Sequence, residues 1–222
     1  MAVLKKIFSW FWPQKTTVFA GKISPVLEIT YERGRKVLNG ERVNYSFGTL
    51  HEVFRIAFEV AKVKQQNPQS VLILGFGAGS IATILTKELS LRPMIIGIEA
   101  DETVIRIFRD EFDGKNYPDL ELRQERAEHY VATTTKKFDL IAIDVFVEEF
   151  VPPEIRSEEF LMHVRRLLQK GGMVVMNEIA AENASDEFHA RFKRILPEMQ
   201  MHIIRKGELP NRIYIGKNKE TG

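Results

Sequence analysis

The sequence predicts an α/β fold with a doubly wound, seven-stranded, mostly parallel sheet and a small N-terminal β-hairpin element. Three observations support it. Beyond about residue 70, short apolar runs alternate with stretches of helical period, the pattern of strands joined by helical crossovers. One run, residues 71–74, passes straight into glycines at 75, 77 and 79 and then a helix, and the next run ends on Glu99. The last two runs are separated only by a turn from Gly207 to Asn211, too short for a crossover, which makes them an antiparallel edge hairpin.

With 222 residues, 44% hydrophobic and 28% charged, the chain is sized for one substantial core with a small appendage. Residues 17–45 alternate apolar and polar positions around Gly34 and Gly40, as one or two β-hairpins do. From Thr49 to about Gln66 the pattern turns helical, with Val53, Phe54, Ala57 and Phe58 on one stripe, until Asn67-Pro68 stops it. Strands are expected at about 71–75, 94–99, 120–124, 138–144, 172–178, 199–205 and 212–217. Helices are expected between them at about 80–90, 102–112, 158–169 and 185–196, with Asp101 and Ser157 as N-caps. The division is an N-terminal segment and hairpin element over 1–48 and a nucleotide-binding domain over 49–222.

Composition excludes several classes. Thirty-two basic residues nearly balance 30 acidic ones, so no nucleic acid is expected as a partner. The absence of cysteine excludes disulfides and thiolate metal sites and agrees with a cytoplasmic location. Five scattered histidines show no ligand spacing, and no metal is expected. The start, MAVLKKIFSWFWPQ, has too short an apolar run for export or a membrane span. Its aromatic residues, Phe8, Trp10, Phe11 and Trp12, are expected to dock on the protein body, with a homodimer contact shared with the β element or a resting place on a membrane surface as the alternatives.

The glycine loop carries the chemistry. Gly75, Gly77 and Gly79 remove side chains at the strand-to-helix turn, where backbone N–H groups can face a ligand. Glu99, at the end of the next strand, is placed to accept both hydroxyls of a ribose. A dinucleotide fold prefers its third glycine at position 80, where Ser80 stands, and the Gly-Lys-Ser/Thr ending of a phosphate loop is missing.

From about residue 17 to 217 the sequence resembles the spermidine synthase family, within the class I S-adenosylmethionine-dependent methyltransferase fold, a Rossmann-like architecture. The resemblance rests on the N-terminal β element, Leu50-His51-Glu52-Val53, the glycine loop, IEADETVI at 98–105, Asp144 after the fourth strand, and Pro152-Pro153. It implies that residues 49–222 bind S-adenosylmethionine or its decarboxylated form. Gly75, Phe76, Gly77, Ala78 and Gly79 would cradle the amino-acid end, Glu99 and Ala100 would hold the ribose, and Arg126 and Ala127 would flank adenine. Asp144 and His51 would face the reacting centre as catalytic residues, with Asp144 also at the cofactor.

Three departures qualify the resemblance. The family's D-x-x-D segment reads Asp144-Val145-Phe146-Val147 here, the tyrosine that usually precedes His51 is Leu50, and the adenine-side Asp-Gly pair is replaced by Arg126-Ala127 unless Glu125 slips into that role. A diamine is a dication, and Val147 cannot offset its desolvation. The leading expectation is therefore a methyltransferase-like enzyme acting on a small-molecule acceptor, an amine among the candidates. The alternatives are aminopropyl transfer from decarboxylated S-adenosylmethionine and a non-catalytic cofactor-binding homologue. Aminopropyl transfer gains support if Glu148, Glu149 or Glu178 lines the crevice beside Asp144, and fails if all three face water.

Overall fold

The computed structural model describes residues 7–10, 12–41, 44–112, 114–147, 150–179, 186–206 and 210–218. Four short strands, β1 (Gln14–Phe19), β2 (Leu27–Glu32), β3 (Arg35–Asn39) and β4 (Asn44–Ser46), form an antiparallel sheet in chain order. The two-residue turn between β2 and β3 is Arg33-Gly34, both with positive φ, the geometry that matches strand twist in a tight hairpin.

The second sheet contains β5 (Ser70–Leu74), β6 (Met94–Glu99), β7 (Leu120–Gln124), β8 (Phe138–Ile143), β9 (Leu168–Ile179), β10 (Gln200–Ile204) and β11 (Asn211–Lys217). Their order is β10-β11-β9-β8-β5-β6-β7. Strands β9, β8, β5, β6 and β7 run parallel, and β11 is antiparallel to both β9 and β10. The expected doubly wound sheet with its closing hairpin is therefore present.

Alternation along the central strands explains the two layers. Val71, Ile73, Ile95, Leu140, Ala142 and Val175 belong to one core, shared with α1 (Thr49–Val60), α4 (Glu102–Glu111) and the small sheet. Leu72, Leu74, Ile96, Ile141, Ile143 and Val174 face the other, covered by α5 (Ala127–Thr133), α6 (Glu158–Leu167) and α7 (Asp186–Ile195). Strands buried on both sides read as continuous apolar runs because each successive side chain enters a different core. Asp101 and Ser157 cap α4 and α6 as expected, accepting from Thr103 N at 2.8 Å and Phe160 N at 3.1 Å.

The elements depart from the sequence reading in four places. The long first helix breaks at Lys62, which is left-handed with φ 57°, and a separate short helix, α2 (Val63–Gln66), tucks Val63 into the core. The helix after the glycine loop, α3 (Ser80–Thr83), is a single α turn that continues as a π turn over Ile84–Glu88. Helix α5 was not expected, and β9 starts at Leu168 where helix had been expected to continue. Among the described residues no helix is long and apolar enough to cross a membrane, and no group of residues could hold a metal ion.

Candidate active site

The chain runs outward from β5 to β6 and β7, then returns to place β8 on β5's other side, so the strand order reverses at β5. Parallel sheets bind ligands at the carboxyl ends of the strands beside such a reversal. Five strands deliver a residue to that crevice from at or just past their ends: Gly75, Glu99, Glu125, Asp144 and Ile179. Backbone hydrogen bonds fix these ends against one another, from Gly75 N and Phe76 N to Ile98 O (both 3.0 Å), Glu125 N to Glu99 O (3.0 Å) and Asp144 N to Leu74 O (2.8 Å).

Gly75 takes φ 78°, and a Cβ there would stand 2.1 Å from the Asp144 carbonyl oxygen. Only glycine allows these two strand ends to meet, which keeps the floor of the crevice free of side chains. The Glu99 carboxylate spans the opening. Its Oε2 accepts from Gly77 N at 2.9 Å and its Oε1 from Asp101 N at 3.0 Å, leaving further acceptor capacity on both oxygens for a diol. Burial raises its pKa above the usual carboxylate range, opposed by these backbone N–H groups. Asp101 in turn accepts from Lys22 N (2.8 Å) and Ile23 N (2.9 Å), which draws the segment after β1 over the crevice so that Ile23 lines it.

Asp144 lies at the reversal itself. Its Oδ1 accepts from Asn177 Nδ2 at 3.1 Å. Burial pushes its pKa up to about 7, the Asn177 hydrogen bond opposes that rise, and the neighbouring Glu99 charge adds to it. Asn177 Oδ1 is buried with no hydrogen-bond partner. An amide beside a carboxyl that titrates near neutrality can serve both protonation states, donating N–H to the carboxylate or, turned over, accepting the proton of the acid.

The expected site residues divide. Gly75, Gly77, Glu99, Ala100, Arg126, Ala127 and Asp144 come together around one cavity. Phe76, Ala78 and Gly79 do not face it. The Phe76 ring fills the notch above Gly97, where a Cβ would meet it at 2.4 Å, and stacks edge-on against Phe108. Ala78 is fully buried, and a Cβ on Gly79 would strike the Phe108 ring at 2.7 Å, so that glycine serves packing.

His51 also lies elsewhere. The face of α1 that meets the crevice presents Leu50, whereas His51 lines a separate groove. There its Nδ1 is 3.2 Å from Ser80 Oγ, its Nε2 is 2.7 Å from Glu88 Oε1, and its ring stacks on Phe47. It joins α1 to the helix after the glycine loop. The expected outcome for His51→Ala is a loss of about 1–3 kcal/mol of stability by thermal unfolding, with nucleoside affinity and turnover within about twofold of wild type. A large fall in turnover at unchanged stability would return this histidine to the site.

Glu125, the alternative for the adenine-side acid, does line the cavity, one residue past β7, whereas Asn177 was missing from the expected set, although a polar residue inside the apolar run of β9 signalled it. Glu178 is buried next to Asn177 but committed elsewhere, to Arg156 at 3.2 Å and to the Tyr214 hydroxyl at 3.0 Å. It does not line the crevice, and Glu148 and Glu149 lie outside the described residues.

A doubly wound sheet closed by an antiparallel hairpin, with an acid gripping a glycine loop, defines a protein of the class I methyltransferase-like fold. Residues 52–203 match the model of the spermine/spermidine synthase domain, and the chain belongs to that family. It is 27% identical over 134 residues to the polyamine aminopropyltransferase of Vibrio vulnificus strain CMCP6, covering 59% of this chain and 44% of that protein. The chain thus spans less than half the length of that relative. Among solved structures, a probable spermidine synthase from Corynebacterium glutamicum ATCC 13032 superposes with a TM-score of 0.77 at 21% identity, over 93% of this chain and 81% of the other. A spermidine synthase in complex with the transition-state analogue AdoDATO superposes with a TM-score of 0.70 at 17% identity, over 92% and 73%. Identities this low show the shared fold.

Proposed function

We propose that the chain transfers an aminopropyl group from decarboxylated S-adenosylmethionine to an amine. The observation that carries this reading is the charge of the crevice. Among the described residues, Glu99, Asp101, Glu125, Glu128 and Asp144 line it, against a single cationic side chain, Arg126, which is itself paired with Glu128. Such a cavity favours polycations and disfavours a ligand that brings its own carboxylate. Membership of a family whose relatives include aminopropyltransferases supports the same reading.

The side-chain-free floor at Gly75 and the acceptor set of Glu99 fit the nucleoside of the donor: Gly75 and Gly77 lie where it approaches backbone, Glu99 takes the ribose, and Glu125 with Ala127 borders the base. When bound, the donor's sulfonium supplies an electrophilic carbon and leaves as a neutral thioether. The protein's task is to align the amine and remove its proton. Asp144 takes that proton on its carboxylate, and Asn177 holds the carboxyl in place before and after.

Methyl transfer is the second reading, favoured by the apolar wall at Leu50, Val145, Phe146 and Val147, which suits a less charged acceptor. Parallel calorimetry with S-adenosylmethionine, its decarboxylated form and methylthioadenosine separates the two. The decarboxylated ligand is expected to bind at least about tenfold tighter than the carboxylated one, a difference of about 1.4 kcal/mol. The reverse preference would move the assignment to methyl transfer. Tight binding without turnover across diamines and monoamines would leave a non-catalytic homologue.

A further inference from the structure

The proposed reaction makes no use of the surface at the first described residues. Ser9 is buried and ties this segment to the β2–β3 turn, its carbonyl accepting from Arg33 N at 2.9 Å and its hydroxyl from Gly34 N at 2.9 Å. The Trp10 indole leans over Gly34, where a Cβ would meet Nε1 at 3.1 Å. The segment is thus anchored mainly through its small polar residue, and its large apolar residues stay outside. Ile7 is 55% exposed, Phe8 58%, Trp10 68% and Trp12 76%. Of the aromatic residues expected to dock on the body, Phe8, Trp10 and Trp12 are largely exposed, and Phe11 lies outside the described residues.

Trp10 and Trp12 line one broad groove with Arg33, Arg35 and Arg55. Those three arginines are exposed, and among the described residues no carboxylate pairs with them. The acids of the same groove are engaged elsewhere: Glu32 with Thr30 and Asn39, Glu52 with Lys206, and Glu88 with His51. In the sequence, Lys5 and Lys6 come just before this segment.

We propose that this face docks on an anionic lipid surface. Exposed indoles and apolar side chains rimmed by unpaired guanidinium groups match the boundary between acyl chains and acidic headgroups, where apolar burial and charge attraction act together. A second copy of the chain fits the face poorly. A two-fold contact sets each patch against its own twin, and the twin carries the same excess of cationic side chains and brings no surplus of acids to balance it.

The test uses a convenience of the sequence. Trp10 and Trp12 are the chain's only two tryptophans, so tryptophan emission, excited selectively over the five tyrosines, reports on this surface alone. The full chain is titrated with vesicles of phosphatidylcholine and of phosphatidylcholine mixed with phosphatidylserine. A blue shift, quenching by brominated acyl chains and co-sedimentation are expected, with partition at least about tenfold stronger to the anionic vesicles and weaker at high salt. The triple change Arg33→Asn, Arg35→Gln, Arg55→Gln is expected to lower that partition about tenfold or more, without altering thermal unfolding or transfer activity. Asparagine is chosen at 33 because it tolerates the positive φ found there. Phe8→Ser, which keeps both indoles, is expected to weaken partition to both vesicle types. No spectral response to vesicles would overturn the proposal. So would a blue shift that grows with protein concentration alone, which means a second copy, or one produced more strongly by polyuridylate, which means nucleic acid.

Discussion

Asp144→Asn is expected to lower the rate of amine transfer by about 10²–10⁴-fold, the range for removal of a positioned general base, while leaving nucleoside affinity within a few fold. An amide is nearly the same shape as the carboxyl and can still accept from Asn177 Nδ2, so the cavity keeps its form and loses its proton acceptor. The pH dependence follows from the raised pKa. Below about 7 the wild-type carboxyl holds its proton and cannot take one from the amine; above about 7 it can. The wild-type kcat/KM is therefore expected to rise through a midpoint near 7, and that limb disappears in the variant. Stability responds in the opposite direction. The unfolded chain releases this proton near the ordinary aspartate value of 3.8 and the folded chain only near 7, so between those values rising pH favours unfolding of wild type and not of the variant. Relative to wild type, the variant is then more stable at pH 8 than at pH 4 by thermal or denaturant unfolding. Undiminished turnover in Asp144→Asn would remove this carboxyl from the mechanism.

The sheet was legible because its strands announce themselves twice, as apolar runs and through the residues that end them. Gly75, Glu99 and Asp144 each stand at or just past the end of a run, and in a parallel sheet that position alone brings them to one edge. Direction within a local element was not legible. Leu50 and His51 are neighbours in α1, and only the packing of that helix decides which of them meets the crevice. Phe76 sits between two glycines that border the site, yet its ring turns inward because Gly97 on the adjacent strand leaves a hole of its size. Helix α5 escaped notice because its seven residues offer barely two turns of period, and it follows Arg126, whose side chain makes no cap. Asn177 shows a further limit. A polar residue in an apolar strand signals a partner, but that partner, Asp144, lies 33 residues away in sequence and is brought alongside only by the pairing of β8 with β9.

Glu99→Gln is expected to weaken binding of decarboxylated S-adenosylmethionine and of methylthioadenosine by about 10²-fold or more, which calorimetry reads directly. Both carboxylate oxygens already accept a backbone N–H, one from the glycine loop and one from the turn after β6. An amide has only one oxygen to offer, so its NH2 must face either Gly77 N or Asp101 N, donor against donor. The substitution therefore loses a charge-assisted acceptor for the ribose and misplaces part of the wall that the ribose meets. Hydrogen bonds to charged groups contribute about 1.5–3 kcal/mol each, and two weakened contacts account for the expected loss. Glu99→Asp is expected to fail as well, because a shorter side chain cannot reach across to Gly77, and this separates a demand for reach from a demand for charge. Burial of the wild-type carboxylate raises its pKa, so the neutral glutamine avoids that desolvation and partly offsets the lost backbone contact in stability. Affinity should then fall much further than the melting temperature. Binding within about threefold of wild type in both variants would mean that the nucleoside is held by something other than this acid, and the assignment of the crevice would fall with it.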